Sequence, residues 1–369
     1  MKEGVLITGS NGFVGKNLLI KIIENGKYDP LKFNRGDSLD FIEQNINQIK
    51  LIVHLAAENR SDVQEDFKIN NIDLTQNICN LLESKDLKIP IIYTSSIQSV
   101  LDNDYGRSKE KCERILETFS KKTGNPVKVL NLPNIFGKWA KPFHNSFIAT
   151  FCECIANNKP VKVNNRDSVV HLNYIDSIIN LIYDYISNKF TGFTLDNVEP
   201  EFETTVGEVF DKISFYKRNR AYPSNPQSND NFNKYLYSTF LTYLDPKMYS
   251  YKLQSHNDDR GDFIELYKNM TDSQVSYFTS NIDTIRGKHY HHTKVEKFFI
   301  VDGVAEFKYT NINDNSVFRE TISHIDNKVI ESIPGVAHEI KNVGDVELKV
   351  VIWANEVFNE KSPDTFSFM

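Results

Sequence analysis

The chain has 369 residues, 40% of them hydrophobic and 25% charged, with a formal net charge of −6. That length exceeds what one hydrophobic core comfortably serves, so about two domains are expected, and the acidic balance excludes the broad basic footprint that nucleic acid requires. No apolar run approaches the ~18 residues of a membrane span, no secretory leader opens the chain, and the cysteines (Cys79, Cys112, Cys152, Cys154) suit a reducing compartment, so a soluble cytoplasmic protein is expected.

MKEGVLITG runs directly into a first expected strand, Val5–Thr8. Gly9-Ser10-Asn11-Gly12-Phe13-Val14-Gly15 then opens a helix whose apolar spacing continues over Asn17–Asn25. Glycines placed between a strand and a helix permit a tight turn and a close backbone approach to a pyrophosphate, which the helix N-terminus stabilises. Lys16 does not make this an NTPase phosphate loop: one residue too many separates Gly9 from Gly15, and Asn17 stands where Ser or Thr is needed. A second strand, Leu31–Phe33, leads to Asn34-Arg35-Gly36-Asp37. An acid there would hold a ribose 2′-OH and an arginine a 2′-phosphate. Arg35 is well placed and Asp37 slightly late, which favours NADPH over NADH.

Further strands are expected at Leu51–Leu55, Ile91–Thr94 and Val127–Leu132, with helices over Asn71–Glu83 and Lys109–Thr123. This alternation is that of βαβ units, a Rossmann-type doubly wound parallel sheet. Thr94-Ser95-Ser96 ends the fourth strand, and Tyr105-Gly106-Arg107-Ser108-Lys109 heads the next helix. Tyr and Lys four apart share a helical face. The ammonium should draw the phenol pKa from about 10 towards neutrality, making Tyr105 a proton donor while a serine hydroxyl orients a carbonyl. Cys152 and Cys154 are read as buried structural thiols.

Residues 221–231, AYPSNPQSNDN, read as a polar loop, and an aromatic-rich segment from Tyr235 to Tyr251 follows. After about residue 255 the texture changes to short alternating runs (VSYFTS, KFFIV, AEFKYT, LKVVIWA), as in an antiparallel barrel. The domains are accordingly placed at 1–250 and 251–369. Six of the nine histidines fall in the last third. The spacing His289-x-His291-x4-Glu296, with Gly335-x-x-His338-x3-Asn342 beyond, looks like a metal site. Alternation should send His289 and His291 to one face, with Glu296 and His338 arriving from neighbouring strands. Three imidazoles and a carboxylate suit several divalent ions; zinc is the expected one, and a metal-free pocket of hydrogen-bonded histidines is the alternative. His292 falls on the opposite face.

GSNGFVG, HLAAENR, TSSIQS and YGRSK resemble the extended short-chain dehydrogenase/reductase family, which works largely on nucleotide sugars. The resemblance implies a catalytic triad of Ser96, Tyr105 and Lys109, with Ser95 the alternative serine. It implies cofactor contacts from Gly9, Asn11, Gly12, Phe13, Val14, Gly15, Arg35, Leu55, Ala56, Ala57, Tyr105 and Lys109. Asn71, in NNIDLTQN, would be structural or support the active site, and PNIFG with Lys138-Trp139 would line cofactor and sugar. Arg166 and Asn173-Tyr174-Ile175-Asp176 fall where members of the family position the nucleotide sugar. Dehydration is disfavoured because Ile97 and Gln98, which follow Ser96, cannot shuttle protons. A 4-epimerase would retain NAD, against the Arg35 reading, which leaves reduction of a 4-keto sugar.

The histidine pattern resembles the cupin barrel, and by that match the ligands are His289, His291, Glu296 and His338. DDRGDFIE, from Asp258 to Glu265, resembles a motif of cupin epimerases acting on dTDP-4-keto-6-deoxyhexoses. In those enzymes a histidine at the position of His289 is a base without metal, so His289 is read as ligand or base. Over its whole length, through TSSIQS, PNIFGKW, NSFIATFC, YSTFLTYL, DDRGDFIE, GKHYHHTKVEKF and the terminal DTFSF, the chain resembles the CapF family of bifunctional capsular-polysaccharide enzymes. The resemblance implies C3 epimerisation of UDP-2-acetamido-2,6-dideoxy-L-arabino-4-hexulose in the cupin. Reduction of C4 with NADPH then gives UDP-2-acetamido-2,6-dideoxy-L-talose, a UDP-N-acetyl-L-fucosamine precursor, in a homodimer. One ketone would serve both steps, acidifying its neighbouring C–H and then accepting hydride. The rivals are an NAD-dependent 4-epimerase with an inert cupin and a sugar-nucleotide-binding protein without turnover.

Overall fold

The computed structural model describes residues 2–61, 63–100, 102–220, 224–225, 230–269 and 273–368, so most of the loop expected over 221–231 lies outside the described residues. The chain packs as two units, Met1–Ser214 with Tyr235–Asp245, and Phe215–Lys234 with Pro246–Met369.

The first unit is built on six parallel strands: β1 (Glu3–Thr8), β2 (Tyr28–Phe33), β3 (Ile49–His54), β4 (Ile91–Ser96), β5 (Val127–Leu132) and β6 (Phe193–Asn197). Their order is β2-β1-β3-β4-β5-β6, the doubly wound arrangement expected. β5 is buried along its whole length, as a strand covered on both faces must be. β2 starts three residues before the expected Leu31 and includes Pro30. At the sheet edge its missing N–H is tolerated. α1 (Phe13–Asn25) follows β1, α2 (Leu74–Ser84) follows β3, and α3 (Asp104–Thr123) follows β4. The helix expected over Asn71–Glu83 begins instead as a wider π-helical turn, Lys68–Asp73, which carries Asn71 inwards. α3 starts at Asp104 because the Asn103 side chain caps it, accepting the Gly106 N–H at 2.8 Å. That cap brings Tyr105 onto the helix. Leu6, Ile52, Ile91 and Val129 lie at the centre of the core.

The second unit is all-β and cupin-like. Its strands are β7 (Ser255–Asp258), β8 (Gly261–Asn269), β9 (Ser273–Ser280), β10 (Ile285–Tyr290), β11 (Glu296–Asp302), β12 (Val304–Asn311), β13 (Val317–Ser323), β14 (Val329–Glu331), β15 (Val336–Asn342), β16 (Leu348–Ala354) and β17 (Phe366–Ser367). One sheet runs β8-β9-β16-β11-β14, with β7 and the short Ser224–Asn225 paired to β8; the other runs β13-β12-β15-β10-β17. Phe278, Phe298, Ile300 and Val350 from the first sheet meet Phe307 and Ile340 from the second, so inward positions of both fill one core. The β10–β15 register slips between Gly287 and His289, where Gly287 and Lys288 have φ of 89° and 62°. A Cβ on Gly287 would meet the His338 carbonyl oxygen at 2.6 Å. This bulge re-aims the strand so that His289 stands directly opposite His338.

Candidate functional site

Beyond the C-terminal ends of β1, β3 and β4, at the point where the strand order reverses, lies a cavity of ≈ 460 Å³. The glycine turn forms one wall, Leu55–Ala57 a second, and Ser96, Tyr105 and Lys109 a third, with Arg35 at the margin. An adjoining hollow of ≈ 660 Å³ shares Gly9, Gly12 and Arg35 and adds Asn11 and Asp37. Every residue expected to touch the cofactor lines one or both. The turn fits a dinucleotide: no side chain caps α1 and no acid sits in its first turn, so its positive end is open to phosphate oxygens. A Cβ on Gly15 would sit 2.2 Å from the Gly9 carbonyl oxygen, so the cradle closes only with glycine there. The Asp37 carboxylate is used locally, accepting the Asn34 N–H at 2.7 Å. Arg35 pairs with Glu58 at 2.6 Å, but its side chain is 70% exposed, so the pair holds it weakly.

Lys109 is buried and donates through Nζ to the Thr94 carbonyl at 2.9 Å, with the Tyr105 ring centroid 5.9 Å away. Burial lowers its pKa to about 8. The expected depression of the Tyr105 phenol is not found. Burial pushes it up to about 12, and a hydrogen bond with Ser96 opposes this only in part. Helical spacing anticipated the ammonium but not the dry surroundings, which disfavour phenolate and ammonium alike. Ser96 faces the phenol, whereas Ser95 donates to Glu113 on the other side.

A buried polar belt supports these groups. Asn71 accepts the Glu58 N–H at 2.6 Å and donates Nδ2 to the Glu58 carbonyl at 3.1 Å and to Ser108 Oγ at 2.9 Å. His54 lies between Thr8 Oγ1 at 2.7 Å and Thr75 Oγ1 at 3.0 Å, and burial lowers its pKa to about 3. Asn134 and Ile135 of the PNIFG stretch line the cavity, as do Lys141 and His144, which no motif indicated. Lys138 instead pairs with Asp176 at 2.5 Å and Arg166 with Asp211 at 2.6 Å, while Asn173 donates to the Glu199 carbonyl. Lys138, Arg166, Asn173 and Asp176 do not line the cavity.

In the second unit, a pocket of ≈ 350 Å³ has apolar walls from Phe263, Phe278 and Phe298 and a polar floor. His289, Glu296 and His338 line it, and their ligand atoms and that of His291 all lie within 4.8 Å of one another. Simple alternation is not what gathers them. His289 follows the bulge, His291 lies past the end of β10 in the turn, Glu296 opens β11 in the other sheet, and His338 is on β15. Glu296 Oε2 is 3.4 Å from both His291 Nε2 and His338 Nε2. Burial opposes its ionisation, but His291, His338 and Lys294 (2.7 Å) outweigh this and hold its pKa well below the carboxylate range. Burial and the adjacent His338 lower the His289 pKa to about 4, leaving a neutral imidazole. His291 Nδ1–H donates to the Asp364 carbonyl, which turns the Nε2 lone pair inwards. Three imidazoles and an ionised carboxylate that converge on one point fit a divalent metal ion. His292 is exposed and packs on Tyr290 and Phe366.

Comparison with known proteins gives a consistent set of likenesses. The NAD dependent epimerase/dehydratase family matches residues 5–193, and the polysaccharide biosynthesis C-terminal domain matches residues 256–366. A Pseudomonas aeruginosa protein named UDP-2-acetamido-2,6-beta-L-arabino-hexul-4-ose reductase is 37% identical over 98% of both chains. The crystal structure of the Staphylococcus aureus capsular polysaccharide assembling protein CapF superposes with a TM-score of 0.90 at 34% identity, covering 99% of each chain. The Bacillus subtilis spore coat polysaccharide biosynthesis protein SpsL is 30% identical over 31% of this chain and 82% of its own.

Proposed function

The chain belongs to the NAD dependent epimerase/dehydratase family and, within it, to the CapF family, and from that premise we propose a two-step nucleotide-sugar enzyme of capsular polysaccharide synthesis. The cupin, residues 251–369, epimerises C3 of UDP-2-acetamido-2,6-dideoxy-L-arabino-4-hexulose. The reductase domain, residues 1–250, then reduces C4 with NADPH to give UDP-2-acetamido-2,6-dideoxy-L-talose, a UDP-N-acetyl-L-fucosamine precursor. The name carried by the P. aeruginosa relative supports this substrate class.

The observation that supports a reductase is geometric: Ser96, Tyr105 and Lys109 line the same cavity as the glycine turn and Arg35. Reducing a ketone needs a proton donor, whereas the alcohol oxidation that starts a 4-epimerisation needs a base. Burial raises the Tyr105 pKa, so the phenol carries the proton that a donor needs. Ser96 orients the carbonyl oxygen, Tyr105 delivers its proton there as charge develops, and the Lys109 ammonium stabilises the phenolate left behind. The glycine turn and Leu55–Ala57 hold the dinucleotide. Arg35 receives the 2′-phosphate in exchange for Glu58, since Asp37 is already engaged. In the cupin, His289, His291, Glu296 and His338 hold the metal, zinc by preference, and the phenylalanine walls keep water from the reacting carbon. When bound, the nicotinamide supplies hydride and the metal supplies positive charge near the substrate carbonyl.

The test is incubation with the UDP-4-keto sugar and NADPH in D₂O. NMR should find deuterium at C3, and one NADPH should be oxidised per product. Tyr105→Phe should slow NADPH oxidation by at least about 10²-fold while C3 exchange continues. Wild-type NADPH turnover in that variant would sink the reductase role, and absence of C3 exchange in the native protein would sink the epimerase role.

A further inference from the structure

We propose that Asp364 is a positioning residue of the cupin metal site, fixing both His291 and the turn that joins His291 to Glu296. The inference rests on the metal reading above and concerns what makes that site precise. Its starting point is a property of the turn itself. The five successive backbone N–H groups from His292 to Glu296 all donate to side-chain oxygens from elsewhere in the chain. His292 donates to Asp364 Oδ1 at 2.8 Å, and Thr293 and Lys294 donate to Oδ2 at 2.7 and 2.8 Å. Val295 donates to Asn355 Oδ1 at 2.8 Å and Glu296 to Ser332 Oγ at 2.7 Å. The turn is therefore shaped from outside, and one carboxylate takes three of its five donors plus the Thr293 hydroxyl at 2.9 Å.

The same residue acts a second time through its main chain. Its carbonyl accepts the His291 Nδ1–H, which fixes the tautomer and points Nε2 at Glu296. Its own position is secured by the strand that follows. Phe366 and Ser367 pair with Tyr290 and His289, Phe368 N–H bonds the Lys288 carbonyl at 2.9 Å, and the Phe366 ring stacks on Tyr290. The C-terminal tail thus holds the strand that carries His289, and Asp364 holds the turn that carries His291. Removing the carboxylate strands three N–H groups, and the turn relaxes towards solvent, separating His291 from Glu296.

The experiment titrates Zn²⁺ into the metal-free full-length protein against a chromophoric chelator, for wild type, Asp364→Ala and Asp364→Asn, with Co²⁺ absorption as a geometric readout. Asp364→Ala should lose about 10- to 100-fold in affinity, the size typical of lost outer partners, and should shift the Co²⁺ bands. Asp364→Asn keeps one acceptor oxygen and should fall between the two. A merely structural role would lower the melting temperature and leave affinity and spectrum as in wild type; that result overturns the proposal. Should Asp364→Ala not fold, wild-type affinity in Asp364→Asn overturns it equally. Failure of the wild-type protein to take up one Zn²⁺ per chain would instead defeat the metal reading, and this proposal with it.

Discussion

Gly15→Ala isolates the cofactor cradle. The new methyl carbon would stand 2.2 Å from the Gly9 carbonyl oxygen, 2.7 Å from Ser10 Cα and 2.9 Å from the Gly9 carbonyl carbon. Ordinary contact begins near 3.4 Å, so the tightest approach falls short by about 1.2 Å, and every atom it meets is backbone. No rotamer relieves it; the turn and the start of α1 must separate. Two effects then oppose each other in the fold. Alanine is the better helix former by about 1 kcal/mol, while forced overpacking costs about 1–3 kcal/mol, so the fold should lose at most about 2 kcal/mol. Binding has no such compensation. A displacement near 1 Å costs about 10²-fold where geometry governs, equivalent to about 2.7 kcal/mol. NADPH fluorescence titration should therefore show about 100-fold weaker binding, and kcat/KM for NADPH should fall in parallel, with unchanged C3 deuterium exchange. Binding within twofold of wild type would refute the reasoning.

Two further outcomes follow from the buried belt. Burial takes the His54 pKa from 6.5 to about 3, so its neutral ring contributes stability above about 6.5 that is lost as pH falls towards 3. One such group gives a slope of about 1.4 kcal/mol per pH unit between those limits; urea unfolding of His54→Gln should lack it, and an unaltered slope would contradict the assignment. Asn71→Ala leaves the Glu58 N–H and carbonyl without their partner, which should cost about 1–3 kcal/mol and lower the reductive kcat. A loss under about 0.5 kcal/mol would show that the belt is dispensable.

The first unit was legible because its information is local. Strand β5 falls where the apolar run Val127–Leu132 put it, and the strand–glycine–helix order at Gly9–Gly15 is written in neighbouring residues. What escaped was decided at a distance. The edge position that lets β2 include Pro30 depends on the sheet order, and the Tyr105 pKa depends on burial, which a four-residue spacing does not report. In the cupin, residue type and spacing identified four side chains that do converge, yet not what makes them converge. The bulge at Gly287–Lys288 could be suspected from its glycine. Asp364, 73 residues from His291, was marked only as part of DTFSF, with nothing in the spacing to tie it to the histidines.

Asn71 grips Glu58, which continues the Leu55–Ala57 wall, and Ser108, which lies on the helix turn between Tyr105 and Lys109. Adjustments to either wall are therefore transmitted to the other. Anyone re-engineering this protein to accept a different dinucleotide by altering the segment after β3 will also retune proton delivery, and gains in one property must be sought together with compensating changes around that single amide.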